Sequence, residues 1–297
     1  MPSTSASVYA LHHTLPMGYV VSPFISPARF QNTVDMVFQD LQESMDGNQW
    51  IIVVGLSPAL IRRLADAEHP LENLNYRFQW DGVIGLVKVI ASYFHTLATT
   101  QLVGAIDSQL SAMLNATTHI RWGANTAHEP TAHNGKQPDE AFFPPSRWAP
   151  VSHTWSCPTL IIETGVPQSL SRLREDAKWW FASTNGNVRI VLILIFSGST
   201  LHIEKWQLAP PNGPRPLGRE DINALRLQNP PMPPLVPQLP ATQQAYAAQE
   251  IEVTWSHAAG APLVLPFAAL FDQQPGPGQH NIVLEAQDLC SVAGCLL

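Results

Sequence analysis

The run Thr159-Leu160-Ile161-Ile162-Glu163 constrains this chain more than any other segment. Its aliphatic stretch has no polar alternation, so it reads as a strand buried on both faces and central in a sheet. A carboxylate ends it and Gly165 follows. In open α/β sheets that is where ligands sit, at the carboxyl ends of the strands. The plainer reading of Glu163 is a strand-end glutamate that faces water or caps the next helix.

A second carboxylate stands 24 residues upstream, room for a loop and a return strand: Asp139, after Pro138. Pro138 biases Gln137 toward extended geometry at the end of a polar loop. Taken alone, Asp139 also reads as a turn residue. Brought together, Asp139 and Glu163 would hold one divalent cation, and a nearby lysine would orient or deprotonate a water. The helix expected from Gln168 to about Ser183 supplies a candidate. At about 100° per residue, Leu170, Leu173, Ala177, Trp180 and Phe181 form its buried face. Lys178 and Arg174 fall on one flank, while Arg172 and Trp179 point away. The alternative for Lys178 is a lysine whose stem lies on the core and whose amine stays in water.

The rest of the pattern is α/β. Helical spacing runs from Ala28 to Met45, a β-rich run covers Trp50–Val54, and Ser57 caps a helix to about Ala67. Asp81-Gly82 between Tyr76–Trp80 and Val83–Ile90 is a hairpin signal. A long amphipathic helix spans Tyr93 to Leu114, and His119–Trp122 reads as a strand. Residues 124–137 read as a polar, mobile loop. Strands follow at Glu140–Phe143, Val188–Ile195 and Leu201–Gln207, then short ones at Glu250–Trp255, Pro262–Phe267 and Ile282–Leu284. Residues 209–240 carry much of the chain's 27 prolines and read as an extended spacer. The organisation expected is a tail over 1–27, a domain over 28–208, a connector over 209–240, and a C-terminal β extension over 241–297 that packs on the domain.

Net charge is −7 over 297 residues, and charged residues make up 13%. That opposes the broad basic footprint that dominates duplex affinity, although Arg172, Arg174, Lys178 and Arg189 cluster in sequence. Three cysteines imply no disulfide framework or zinc knuckle. With no basic, apolar leader and no membrane-length apolar run, the expectation is a soluble, intracellular protein.

Four segments resemble a family found mostly in fungal genomes: Pro138-Asp139-Glu140-Ala141-Phe142, Leu173-Arg174-Glu175-Asp176-Ala177-Lys178-Trp179-Trp180, Asn185-Gly186 and Ile203-Glu204-Lys205-Trp206. That family is similar in turn to the Uma-type restriction-endonuclease-like proteins of PD-(D/E)XK type. The resemblance implies a restriction-endonuclease-like mixed sheet flanked by helices. It implies a Mg²⁺-dependent nuclease acting on DNA, with Asp139 and Glu163 as metal ligands and Lys178 as a lysine migrated onto the helix. Two departures stand out. The slot two residues after Glu163 is Gly165, and the His-Glu pair of the long helix is His95-Thr96. They leave open a catalytically inactive relative that keeps the fold to bind a protein partner.

Other motifs carry less. Pro130 breaks the helix that His128 and His133 would need for a zincin pattern. Cys157 reads as a packed residue, and of Trp179-Trp180 the second reads as core.

Overall fold

The computed structural model describes residues 11, 14–43, 47–66, 71, 74–90, 93–114, 120–124, 126–149, 154–228 and 231–294, with the side chains of 93–95 and 154–155 set aside. Two mixed sheets flanked by helices make an α/β architecture, consistent with the restriction-endonuclease-like class expected from sequence.

The first sheet has six strands in the order β1-β2-β4-β3-β7-β6. They are β1 (Val20–Pro23), β2 (Trp50–Val54), β3 (Asn75–Asp81), β4 (Ile84–Ile90), β6 (His128–Thr131) and β7 (Asn134–Lys136). The expected hairpin forms between β3 and β4, with Gly82 supplying the positive φ of 61° that its tight turn needs. The expected loop over 124–137 instead contains the hairpin β6–β7, which extends the sheet through β3. Helices α1 (Pro27–Glu43) and α2 (Pro58–Ala65) cover one face, burying Phe30, Val34, Val37 and Leu64 against Ile51, Val53, Phe78, Val87 and Val89. Ser57 starts α2 by accepting from the Leu60 amide at 3.3 Å.

The second sheet has seven strands, ordered β13-β12-β11-β10-β9-β8-β5. In chain order these are β5 (Arg121–Trp122), β8 (Glu140–Phe143), β9 (Leu160–Gly165), β10 (Ile190–Ser197), β11 (Thr200–Leu208), β12 (Ala245–Val253) and β13 (Ala258–Ala259). The apolar run Leu160–Ile162 is central as expected. It pairs with β10 in parallel and with β8 antiparallel. Alternation along β9 sends Leu160 and Ile162 toward α3 (Tyr93–Met113), whose stripe Ala98, Leu102, Ile106 and Leu110 is fully buried. Ile161 and Glu163 face α4 (Leu170–Ser183), which buries Leu173, Ala177, Trp180 and Phe181.

The proline-rich segment is not all extended: Arg219–Arg226 forms a helix, α5, that packs on β12 through Ile222 and Leu225. Beyond it, β12 adds a nine-residue strand to the main sheet. Two helices that sequence periodicity did not suggest, α6 (Phe267–Phe271) and α7 (Ala286–Gly294), join the same core as α3. Each is too short to show a helical repeat. Strands β14 (Leu263–Leu265) and β15 (Ile282–Leu284) pair with each other.

Candidate functional site

One face of the first sheet carries charge. Along β3, Arg77 and Gln79 alternate with buried Tyr76, Phe78 and Trp80; along β4, Lys88 alternates with Val87 and Val89. Cross-strand register places Trp50, Lys88 and Arg77 on one rung and Gln79 beside Lys136 on the next. The period of two therefore gathers three cations on a single face. That face abuts the ends of β8 and β9 and the start of α4.

Asp139 and Glu163 are both buried there. The Asp139 Oδ2 accepts from the Thr164 amide at 2.7 Å and the Thr164 hydroxyl at 2.7 Å, and from the Lys88 Nζ at 2.6 Å. Its Oδ1 lies 3.3 Å from the Arg77 Nε. Lys88 also donates to the Thr164 carbonyl oxygen at 2.5 Å. The Glu163 Oε1 accepts from the Trp180 indole at 2.7 Å and lies 3.3 Å from the Lys136 Nζ. Lys136 in turn meets the buried Asp176 at 2.7 Å, and Asp176 meets Arg172 at 3.0 Å. Arg172 donates to Gln79 Oε1 at 2.6 Å and to the Leu11 carbonyl at 2.7 Å. The Lys88 ammonium and the Arg172 guanidinium both lie 5.9 Å from the Trp50 ring.

The sequence-expected trio therefore separates. Asp139 and Glu163 join one buried cluster through Thr164, the residue that follows Glu163. Lys178 does not join it. Its side chain is half exposed and pairs with Glu175 at 2.6 Å on the outer side of α4. The reason is angular: two residues at about 100° each put Lys178 almost opposite Asp176, and Asp176 is the one facing the cluster. Arg172, expected to point away, points in, because the first sheet lies along that flank of α4. Lys178→Ala is accordingly expected to shift folding stability by no more than about 0.5 kcal/mol in a denaturant titration. A loss several times larger would show that the side chain reaches the cluster.

Gly165 lies where the strand and the following helix approach closely. A Cβ there would meet Leu173 Cδ1 at 3.0 Å and Ser169 Cβ at 3.1 Å, under the first turn of α4. A side chain there would require Leu173 and Ser169 to give way by a few tenths of an ångström. Thr96, the other departure, is exposed on α3.

Burial raises the Glu163 carboxyl above the ordinary glutamate range; Lys136 opposes this and Asp139 adds to it. Burial also pushes Asp176 upward, but Arg172 and Lys136 outweigh it and hold that carboxyl below the usual aspartate value. Between the groups lies a cavity of about 10 Å³, bordered by Trp50, Lys88, Lys136, Glu163 and Asp176. That is room for a single water.

Lys88, Lys136, Arg77 and Arg172 are the residues that sequence reasoning missed. The signal was present for Lys88: one lysine in the otherwise apolar strand Ile84-Gly85-Leu86-Val87-Lys88-Val89-Ile90. A cation in such a run needs a buried partner.

A separate group could hold a metal ion. His202 and Glu204, two apart on β11, and Glu250, opposite Glu204 on β12, bring one ligand atom each within 4.8 Å of one another. Glu204 is already engaged: Arg174 grips both its oxygens, at 3.1 and 2.5 Å, and the Trp206 indole donates at 2.7 Å. Despite its burial, these donors lower its pKa.

No family model matches the chain, and no curated protein does. Among solved structures it is similar to a protein of family DUF820 from Anabaena variabilis ATCC 29413, described as a "putative nuclease". The two share 12% identity with a TM-score of 0.38, over 73% of this chain and 90% of that one.

Proposed function

We propose that this chain is a restriction-endonuclease-like protein whose acid pair is neutralised from within, and that it acts by binding rather than by hydrolysing phosphodiesters. One observation carries this: ammonium groups stand where a cation would. Lys88 lies on Asp139 and Lys136 on Glu163, at 2.6 and 3.3 Å. A Mg²⁺ ion needs carboxylate oxygens at about 2.0–2.1 Å and keeps several waters. The cavity has space for one water, and the cluster sets four cations against three carboxylates. A divalent cation added to that balance meets net repulsion, so the residues do not fit a metal centre.

The surface agrees. Among the described residues five basic and four acidic side chains are buried, so burial removes more positive than negative charge from a chain that has 16 basic and 23 acidic residues. A duplex would approach a predominantly acidic protein, the opposite of an electrostatic footprint for DNA. No helix among the described residues is long and apolar enough to cross a membrane. The acidic balance favours a protein partner over a duplex.

A second reading has one observation in its favour. Lys88 touches both the Asp139 carboxylate and the carbonyl of Thr164, so a lysine does converge on the acid pair although it is not Lys178. On that reading the chain is a Mg²⁺-dependent nuclease acting on DNA, with Asp139 and Glu163 as its metal ligands. Plasmid cleavage by the purified chain with Mg²⁺ or Mn²⁺ separates the two. The expected result is no cleavage with either ion. Nicking that requires metal and disappears in Glu163→Gln would overturn the binding reading.

A further inference from the structure

We infer that Val236-Pro237-Gln238-Leu239-Pro240 is a displayed polyproline-type ligand for a protein domain with an aromatic-lined groove. This surface is independent of whether the acid cluster is active. In a polyproline II helix three residues make one turn, rising about 3.1 Å each, so residues three apart share a face. Prolines recur at that period here, at Pro231, Pro234, Pro237 and Pro240. In an ideal helix of that kind the two apolar-Pro dipeptides, Val236-Pro237 and Leu239-Pro240, would stand one turn apart, about 9 Å. Grooves that read PxxP segments take such dipeptides side by side.

The structure shows which side faces out. Val236 is 55% and Leu239 69% exposed, and both Pro237 and Pro240 are exposed, whereas Gln238 between them is only 4% exposed. Gln238 is the anchor: its amide donates to the Asn185 carbonyl at 2.9 Å and its side chain to the Ala209 carbonyl at 3.1 Å. Leu239 has φ −63° and ψ 142°, within the polyproline II region; the chain bends at Leu235 and Val236 and opens a 3₁₀ turn at Pro240, so the extended stretch is Pro237–Leu239. Upstream, the Arg189 guanidinium donates to three successive carbonyls, those of Pro234, Leu235 and Val236, at 3.3, 2.8 and 3.4 Å. Asp272 fixes that guanidinium in turn.

The segment is thus held by its backbone and its middle residue, and its apolar side chains are left outward. An extended strap serving only as a spacer would turn Val236 and Leu239 inward and leave the glutamine in water. Holding the backbone in advance also lowers the ordering cost that a flexible ligand meets on binding.

The test uses the full chain and an arrayed panel of purified SH3 and WW domains, with isotope-labelled domains for the hits. The expected result is that at least one domain binds and its groove aromatics show chemical-shift changes on titration. Pro237→Ala/Pro240→Ala, and separately Val236→Glu, should each weaken that binding by about tenfold or more, the scale of losing one hot-spot contact. Leu227→Glu, at an exposed aliphatic outside the segment, should leave it unchanged. Circular dichroism on each variant checks that the fold is retained, and Val236→Glu decides if the proline variant unfolds. Absence of binding across the panel at millimolar concentration overturns the inference. So does binding that survives both variants.

Discussion

Lys88→Met is expected to lower folding stability by about 3–5 kcal/mol, the cost of removing one partner from a buried ion pair. Methionine matches the lysine stem, so little packing is lost and the effect isolates the charge. The Asp139 carboxylate would remain buried beside Arg77 and Thr164 without its ammonium partner, and the Thr164 carbonyl would lose a 2.5 Å donor. Adding Asp139→Asn should recover part of the loss, because the buried carboxylate is then gone and the charge left without its partner is Arg77, which keeps some contact with water. Urea denaturation of the four-member cycle measures the coupling. If Lys88→Met proved neutral, the ammonium would not be what neutralises Asp139, and the binding reading would lose its main support.

The two carboxylates should also respond unequally to isosteric neutralisation. Glu163 has a raised folded-state pKa, so its protonated form is favoured by folding. For such a group the stabilising contribution is present below the unfolded pKa and is lost as pH rises through the folded value. At neutral pH, Glu163→Gln therefore removes a penalty. Its side-chain oxygen can still accept from Trp180, and Lys136 keeps Asp176. The expected change is small, within about 1 kcal/mol, and of either sign. Asp139→Asn instead takes the counter-charge from both Lys88 and Arg77, with an expected cost again of about 3–5 kcal/mol. Asp176 works in the opposite sense to Glu163. Its pKa is lowered, so its contribution is present above the unfolded aspartate value and is lost as pH falls through the folded one. Equal losses for Glu163→Gln and Asp139→Asn at pH 7 would contradict this account.

The central strand of the second sheet was legible because its signal is local. Leu160–Ile162 has no polar alternation, and Glu163 follows directly. Asp139 and Glu163 were readable as a pair because a return strand links them. What sequence reading lost was set by contacts between the sheets. Arg172 and Asp176 look solvent-facing when α4 is read against a single sheet, and they are buried because a second sheet lies on that flank. Lys136 sits in a polar stretch whose hairpin becomes ordered only by pairing with β3. Helix geometry against a single sheet, together with the family resemblance, singles out Lys178. Space chose Lys88 and Lys136 instead, from strands whose own patterns say nothing of α4. The close approach of Leu173 and Ser169 to position 165 is a packing feature that no one-dimensional pattern displays.

The cations of β3, β4 and β7 belong to one sheet, and the carboxylates they meet belong to the other sheet and to α4. Neither half can be cut out cleanly. A fragment ending at Lys136 would hold Arg77, Lys88 and Lys136 on an apolar face without counter-ions. A fragment starting at Asp139 would hold Asp139 and Glu163 without their cations, and Asp176 with Arg172 but without Lys136. Each would therefore carry its own charge repulsion, relieved only when the other arrives. The cluster works as a recognition code between the halves, and in a nascent chain it can close only after α4 has been made.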